Sequence, residues 1–118
     1  MGSQSYKDLL VWQKSIQFVK EIYMVTEDFP QSEKFGLVDQ LRRAAVSVPS
    51  NIAEGHGRSS SKERKQFTSL ARGSAAELET QLIVAKELGF INDAQFIQLE
   101  KSIVEILKML SGLHKSLS

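Results

Sequence analysis

Two histidines, His56 and His114, and no cysteine set the first limits on chemistry in this 118-residue chain. Without cysteine there is no disulfide, no thiolate nucleophile, no zinc finger, no haem c attachment and no thiolate-held iron–sulfur cluster. A di-iron carboxylate bundle needs Glu-x-x-His pairs on two helices. Ala53 and Ser111 stand three residues before the two histidines, so both motifs are missing. Serine catalysis would pair Ser47, Ser50 or Ser59 with His56 as base. Serines close to a helix end serve more often as caps or solvated groups, and the reading is against an enzyme. Gly55-His56-Gly57-Arg58 is the one glycine pair with a basic neighbour. It follows a helical pattern and not a strand, which speaks against a P-loop. Neither a metal nor a cofactor is expected.

Charge is the feature that points to a partner. The net charge is +1, yet residues 1–41 carry −2, residues 42–72 carry +5 and residues 73–118 carry −2. The central segment holds Arg42, Arg43, Arg58, Lys62, Arg64, Lys65 and Arg72. These seven are the candidate anion- or nucleic-acid-binding residues. Three of them fall in the first turns of a helix, where cations oppose the helix dipole and exposed amides favour anions. Helix stability therefore does not explain them, whereas a phosphate or acidic partner does. No base-reading motif accompanies them, so binding to RNA or DNA would be led by the backbone and sensitive to salt. The alternative is a solvated or subunit-facing surface, its cations paired with carboxylates of neighbouring copies.

The elements that position these residues are helices. At this length one domain is expected, able to bury about two-thirds of its unfolded surface. No apolar run approaches the roughly 18 residues of a membrane span. The first five residues contain no apolar signal core, so a cytoplasmic protein without a membrane partner is expected. Four helical patterns appear and no strand alternation. Helix A is predicted over about 6–28, with one stripe of Leu9, Trp12, Ile16, Val19, Tyr23 and Thr26 and a second of Val11, Phe18, Ile22, Val25 and Phe29. A helix apolar on two sides needs cover on two sides, and in a small bundle the second cover is another chain. Self-association follows. Phe29-Pro30 ends the helix.

Helix B is predicted over about 32–56, capped by Ser32, with Leu37, Leu41, Ala44, Val48 and Ile52 inward. Its stripe keeps phase across Pro49, which predicts a kink, and Gly55 with Gly57 is the expected stop. Ser47, Ser50 and Asn51 around the proline can satisfy backbone groups that it frees. Helix C is predicted over about 60–88, with a Ser60–Glu63 capping box, Phe67, Ala71, Ser74, Ala75, Leu78, Leu82 and Ala85 inward, and Gly89 as the left-handed cap. Helix D is predicted over about 92–115, opened by an Asn92–Gln95 box, with Phe96, Leu99, Ile103, Ile106, Leu110, Leu113 and Leu117 in coiled-coil rhythm. Connections of about three residues make consecutive helices antiparallel. The expected fold is all-α, an up-down-up-down four-helix bundle that assembles as a homo-oligomer.

The run Phe35-Gly36-Leu37-Val38-Asp39-Gln40-Leu41-Arg42-Arg43-Ala44-Ala45-Val46-Ser47-Val48-Pro49-Ser50-Asn51-Ile52-Ala53-Glu54-Gly55 resembles the signature of the four-helix-bundle family encoded in intervening sequences of bacterial 23S ribosomal RNA genes. Three further pieces agree: Asp8-Leu9-Leu10-Val11-Trp12-Gln13-Lys14, Phe29-Pro30, and Gly73-Ser74-Ala75-Ala76-Glu77-Leu78-Glu79-Thr80-Gln81-Leu82. Together they span roughly residues 6–110. Val48 stands where isoleucine is usual and Ala75 where leucine is common. The resemblance implies a ring-like homopentamer. It also implies kinship with the accessory protein of diversity-generating retroelements, a basic pentamer that binds nucleic acid and its reverse transcriptase. It brings no catalytic residue. Being encoded within an RNA gene is a genomic location and not a contact, so it does not make ribosomal RNA a ligand.

Overall fold

A computed structural model describes residues 5–117. Met1–Gln4, which carry most of the segment read for a signal peptide, lie outside the described residues, as does Ser118. The described chain is all helical: a 3-10 turn at Tyr6–Asp8, α1 at Leu10–Thr26, a second 3-10 turn at Gln31–Glu33, α2 at Leu37–His56, α3 at Ser61–Glu87 and α4 at Asp93–Ser116. The body measures 48 × 24 × 23 Å. Packing runs α1 on α2, α2 on α3, α3 on α4 and α4 back on α1, which is a four-helix bundle.

Two helix starts differ from expectation. Residues 6–8 do not belong to α1. Ser5 closes a local turn there, its hydroxyl accepting the Lys7 amide at 3.1 Å while the Asp8 carboxylate accepts the Ser5 amide at 3.3 Å. Leu9 is then extended, and α1 begins at Leu10. Ser32 does not cap α2, because it sits inside the second 3-10 turn. Gly36 occupies the cap position, and Glu33 Oε1 accepts the Leu37 amide at 3.3 Å. An acid therefore does the work assigned to the serine.

The other ends follow their local chemistry. Ser60 Oγ accepts the Glu63 amide at 3.1 Å, and Glu63 receives the Ser60 hydroxyl in return rather than its amide. Asn92 and Gln95 form the full reciprocal box, at 2.8 and 2.9 Å. Gly89 has φ +79°. Its amide reaches the Lys86 carbonyl and that of Phe90 reaches Ala85, the paired bonds of a left-handed helix stop. α2 continues through Pro49 to His56. The neighbouring side chains turn back on it, Ser50 Oγ to the Val46 carbonyl and Asn51 Nδ2 to the Ser47 carbonyl, both at 2.8 Å. Neither reaches the Ala45 carbonyl, to which Pro49 has no amide to donate.

The core is the second stripe of α1 (Val11, Phe18, Ile22) against Leu41, Val48 and Ile52 of α2, Leu78 and Leu82 of α3, and Ile103, Ile106 and Leu110 of α4. Each large aliphatic side chain buried here contributes roughly 1.5–3 kcal/mol. The first stripe of α1 is only partly covered: Ile16 and Tyr23 are exposed, and Trp12 and Val19 are half-buried. Phe67, expected inward, is half-buried, while the adjacent Thr68 is buried. Gly55 does not end α2. It lies buried inside the last turn, where a Cβ would meet Phe67 Cβ at 2.8 Å, so its role is to let α2 and α3 close together.

Candidate anion-binding end of the bundle

The basic segment is continuous in sequence but not in space. Arg42 and Arg43 lie near the start of α2, and Arg58, Lys62, Arg64 and Lys65 gather where α2 turns into α3. Roughly 20 Å of helix separates the two groups. Arg72 stands between them, half-buried on α3.

The first group is engaged within the chain. Arg42 stacks 4.4 Å from the Tyr23 ring centroid, donates from Nε to Thr26 Oγ1 at 3.0 Å and from Nη2 to the Tyr23 carbonyl at 3.3 Å, and lies 3.9 Å from Glu27. It ties α2 to the last turn of α1, where a cation also satisfies the helix dipole. Arg43 pairs with Asp39 at 2.9 Å, one turn before it, and remains exposed.

At the α2–α3 turn, Arg58 pairs with Glu54 and covers the Phe67 ring at 4.8 Å. Arg64 Nε donates to the Arg58 carbonyl at 2.7 Å and so braces the turn. Lys62 is exposed on the first turn of α3. Lys62 and Lys65, with Gln66, Leu70 and His114, line an open groove of about 660 Å³ between α3 and the end of α4. A smaller, mainly apolar pocket of about 240 Å³ lies at the same end, between Leu9, Ile52 and Leu113, with His56 and Arg64 at its edge.

Two of the serines weighed for catalysis, Ser47 and Ser50, have structural partners. Ser47 Oγ meets Ser74 Oγ at 2.8 Å and accepts from Asn51 Nδ2 at 3.0 Å, and Ser50 bonds its own helix. Among the described residues no group of three His, Asp or Glu side chains is placed to hold a metal. No described helix is long and apolar enough to cross a membrane.

One titratable pair escaped the sequence reading. Glu100 on α4 faces Glu79 on α3, 21 residues away in the chain. Burial, the hydrogen bond to Glu79 and then its negative charge push the Glu100 carboxyl up to about 7. No spacing rule on either helix announces it, because the pairing is tertiary.

A solved structure resembles this chain in fold, and a family model resembles it in sequence. A crystallised protein of unknown function from the S23 ribosomal protein family of Bacteroides thetaiotaomicron superposes with a TM-score of 0.81 at 24% identity, over 90% of this chain and 99% of the other. At that identity the likeness is one of fold. No curated protein matches the sequence. The family model for the 23S rRNA-intervening sequence protein matches residues 7–112, nearly the whole helical body just described, and the chain belongs to that family.

Proposed function

We propose that this chain is a non-enzymatic binding protein of the cytoplasm. It is a single four-helix domain in up-down-up-down order, bent at Pro49, that works as a homo-oligomer, a pentamer by family resemblance. Its partner is nucleic acid, held by the phosphate backbone. The observation that carries this reading is the gathering of Arg58, Lys62, Arg64 and Lys65 at one end of the bundle, around the first turn of a 27-residue helix. The free amides there add partial positive charge to the side chains. Arg42 and Arg43 serve the fold and its surface instead.

A second reading, a structural or adaptor oligomer without nucleic acid, draws on the ion pairs that Arg42, Arg43 and Arg58 make with Glu27, Asp39 and Glu54. These pairs lie within one chain. Lys62 and Lys65 separate the two readings. Structured RNA and duplex DNA of equal length are titrated at 50 and 200 mM salt with wild type, with Lys62→Glu/Lys65→Glu, and with Arg43→Glu. The expected result is salt-dependent binding that weakens in the double variant, with a salt slope lower by about two, and that persists with Arg43→Glu. No binding at 50 mM salt, or binding indifferent to Lys62 and Lys65, refutes the nucleic-acid reading.

A further inference from the structure

The α1–α2 connection carries the most exposed large apolar side chain among the described residues. Phe35 is 88% exposed, with Lys34 Nζ 5.5 Å from its ring centroid. No packing within the chain accounts for an aromatic ring held out in water beside a cation. On another flank of the same end of the bundle, α1 and α4 enclose a groove of about 300 Å³. Its floor is Val25 and Leu99, Met24 stands 71% exposed at its side, and Glu21 and Asp28 supply carboxylates. Asp28 is exposed and Glu21 half-buried, so the groove carries a negative rim open to solvent.

Knob and groove match in both respects: an aromatic ring for an apolar floor, and an ammonium for two carboxylates. We propose that Phe35 and Lys34 of one copy seat in the α1–α4 groove of the next, with Lys34 at Glu21 and Asp28. The contact is heterologous, since knob and groove are different surfaces of each copy, and it repeats head to tail around an assembly. Aromatic anchors entering a pocket dominate interfaces of this kind. This inference rests on the self-assembly reading above and names the surfaces that meet.

The test uses sedimentation velocity on the full chain at micromolar concentration, with circular dichroism to confirm that each variant is folded. Phe35→Glu destroys the knob and leaves the groove, whereas Met24→Lys spoils the groove and leaves the knob. Both positions are exposed, so both variants retain the fold. Each alone is expected to sediment as a monomer of about 13 kDa, with self-affinity lowered at least about tenfold. Mixed in equal amounts, they retain one intact knob and one intact groove and are expected to form a heterodimer. A wild type that is itself monomeric overturns self-assembly as a whole. A wild-type oligomer that survives Phe35→Glu, or a mixture that stays monomeric while each variant is folded, overturns this contact and leaves self-assembly standing.

Discussion

Gly55→Ala tests how closely α2 and α3 are fitted. The added methyl would lie 2.8 Å from Phe67 Cβ and 3.4 Å from the Arg64 carbonyl. Neither neighbour is the free end of a flexible side chain, so the helices must separate at that turn. Overpacking of this kind costs about 1–3 kcal/mol. Alanine returns about 1 kcal/mol through its better helix propensity. The net expectation is a loss of up to about 2 kcal/mol, centred near 1. Gly73 supplies the control, since it lies within α3 and a Cβ there meets nothing within 4 Å. Gly73→Ala should therefore gain about 0.5–1 kcal/mol, propensity without a clash. The same substitution thus has opposite signs at two sites, separated by about 2 kcal/mol or roughly 8 °C in melting temperature for a chain of this size. Thermal and urea unfolding at one fixed protein concentration measure both, because assembly shifts apparent stability with concentration. If Gly55→Ala is as stable as Gly73→Ala, the close approach at Gly55 does not constrain the fold and the reasoning fails.

Two further outcomes are expected. Glu100 has a folded value raised to about 7 by burial and by Glu79, above its ordinary 4.5. The fold therefore prefers the protonated carboxyl, so stability is greatest below about pH 4.5 for this pair and is lost as pH climbs through 7, by about 1 kcal/mol once the water reaching the pair is allowed for. Urea unfolding at pH 5 and pH 8 should show this loss in wild type and a smaller one in Glu100→Gln, and equal pH dependence in both proteins counts against the pairing. Arg42→Ala should lose about 1–2 kcal/mol through its stack and bonds to α1, while Arg43→Ala changes stability by less than about 0.5 kcal/mol. Equal effects at the two arginines in the same unfolding assay would contradict the division drawn between them.

What was legible in the sequence was whatever depends on near neighbours in the chain. Asn92 with Gln95 and Gly89 each act within one turn and stand where their chemistry placed them, and Ser60 caps α3 as expected, although Glu63 returns no bond to its amide. The apolar stripes also located the core, because helical period fixes which side chains share a face. The failures arise where two local devices compete or where the partner is distant. Leu9 keeps apolar rhythm with α1, yet the Ser5–Asp8 turn holds the chain until the helix begins at Leu10. Ser32 is a good cap residue in a segment that forms a 3-10 turn instead. Gly55 looks like punctuation because Gly57 follows two residues later, and only the position of Phe67 on α3 shows that the missing side chain makes room for another helix. The basic segment is divided in space for a related reason. A count along the chain cannot see that Arg42 turns toward α1 while Arg58 lies at the far end of α2.

That separation bears on how the two proposed surfaces cooperate. Phe35 precedes α2 and Arg58 follows it, and the 20-residue helix between them spans about 30 Å. The proposed self-assembly and nucleic-acid surfaces therefore lie at opposite ends of the bundle and share no residues. A head-to-tail assembly presents one basic end per copy at a regular spacing. One RNA can then engage several ends, and each contact after the first forms at high effective concentration. Phe35→Glu should consequently weaken binding to a long structured RNA by at least about tenfold, although Phe35 lies about 30 Å from the basic end, and should leave binding to an RNA too short to bridge two copies unchanged. Fluorescence anisotropy with RNAs of two lengths decides it. If Phe35→Glu abolishes self-association yet binds both RNAs as wild type does, the basic ends act singly and assembly serves another purpose.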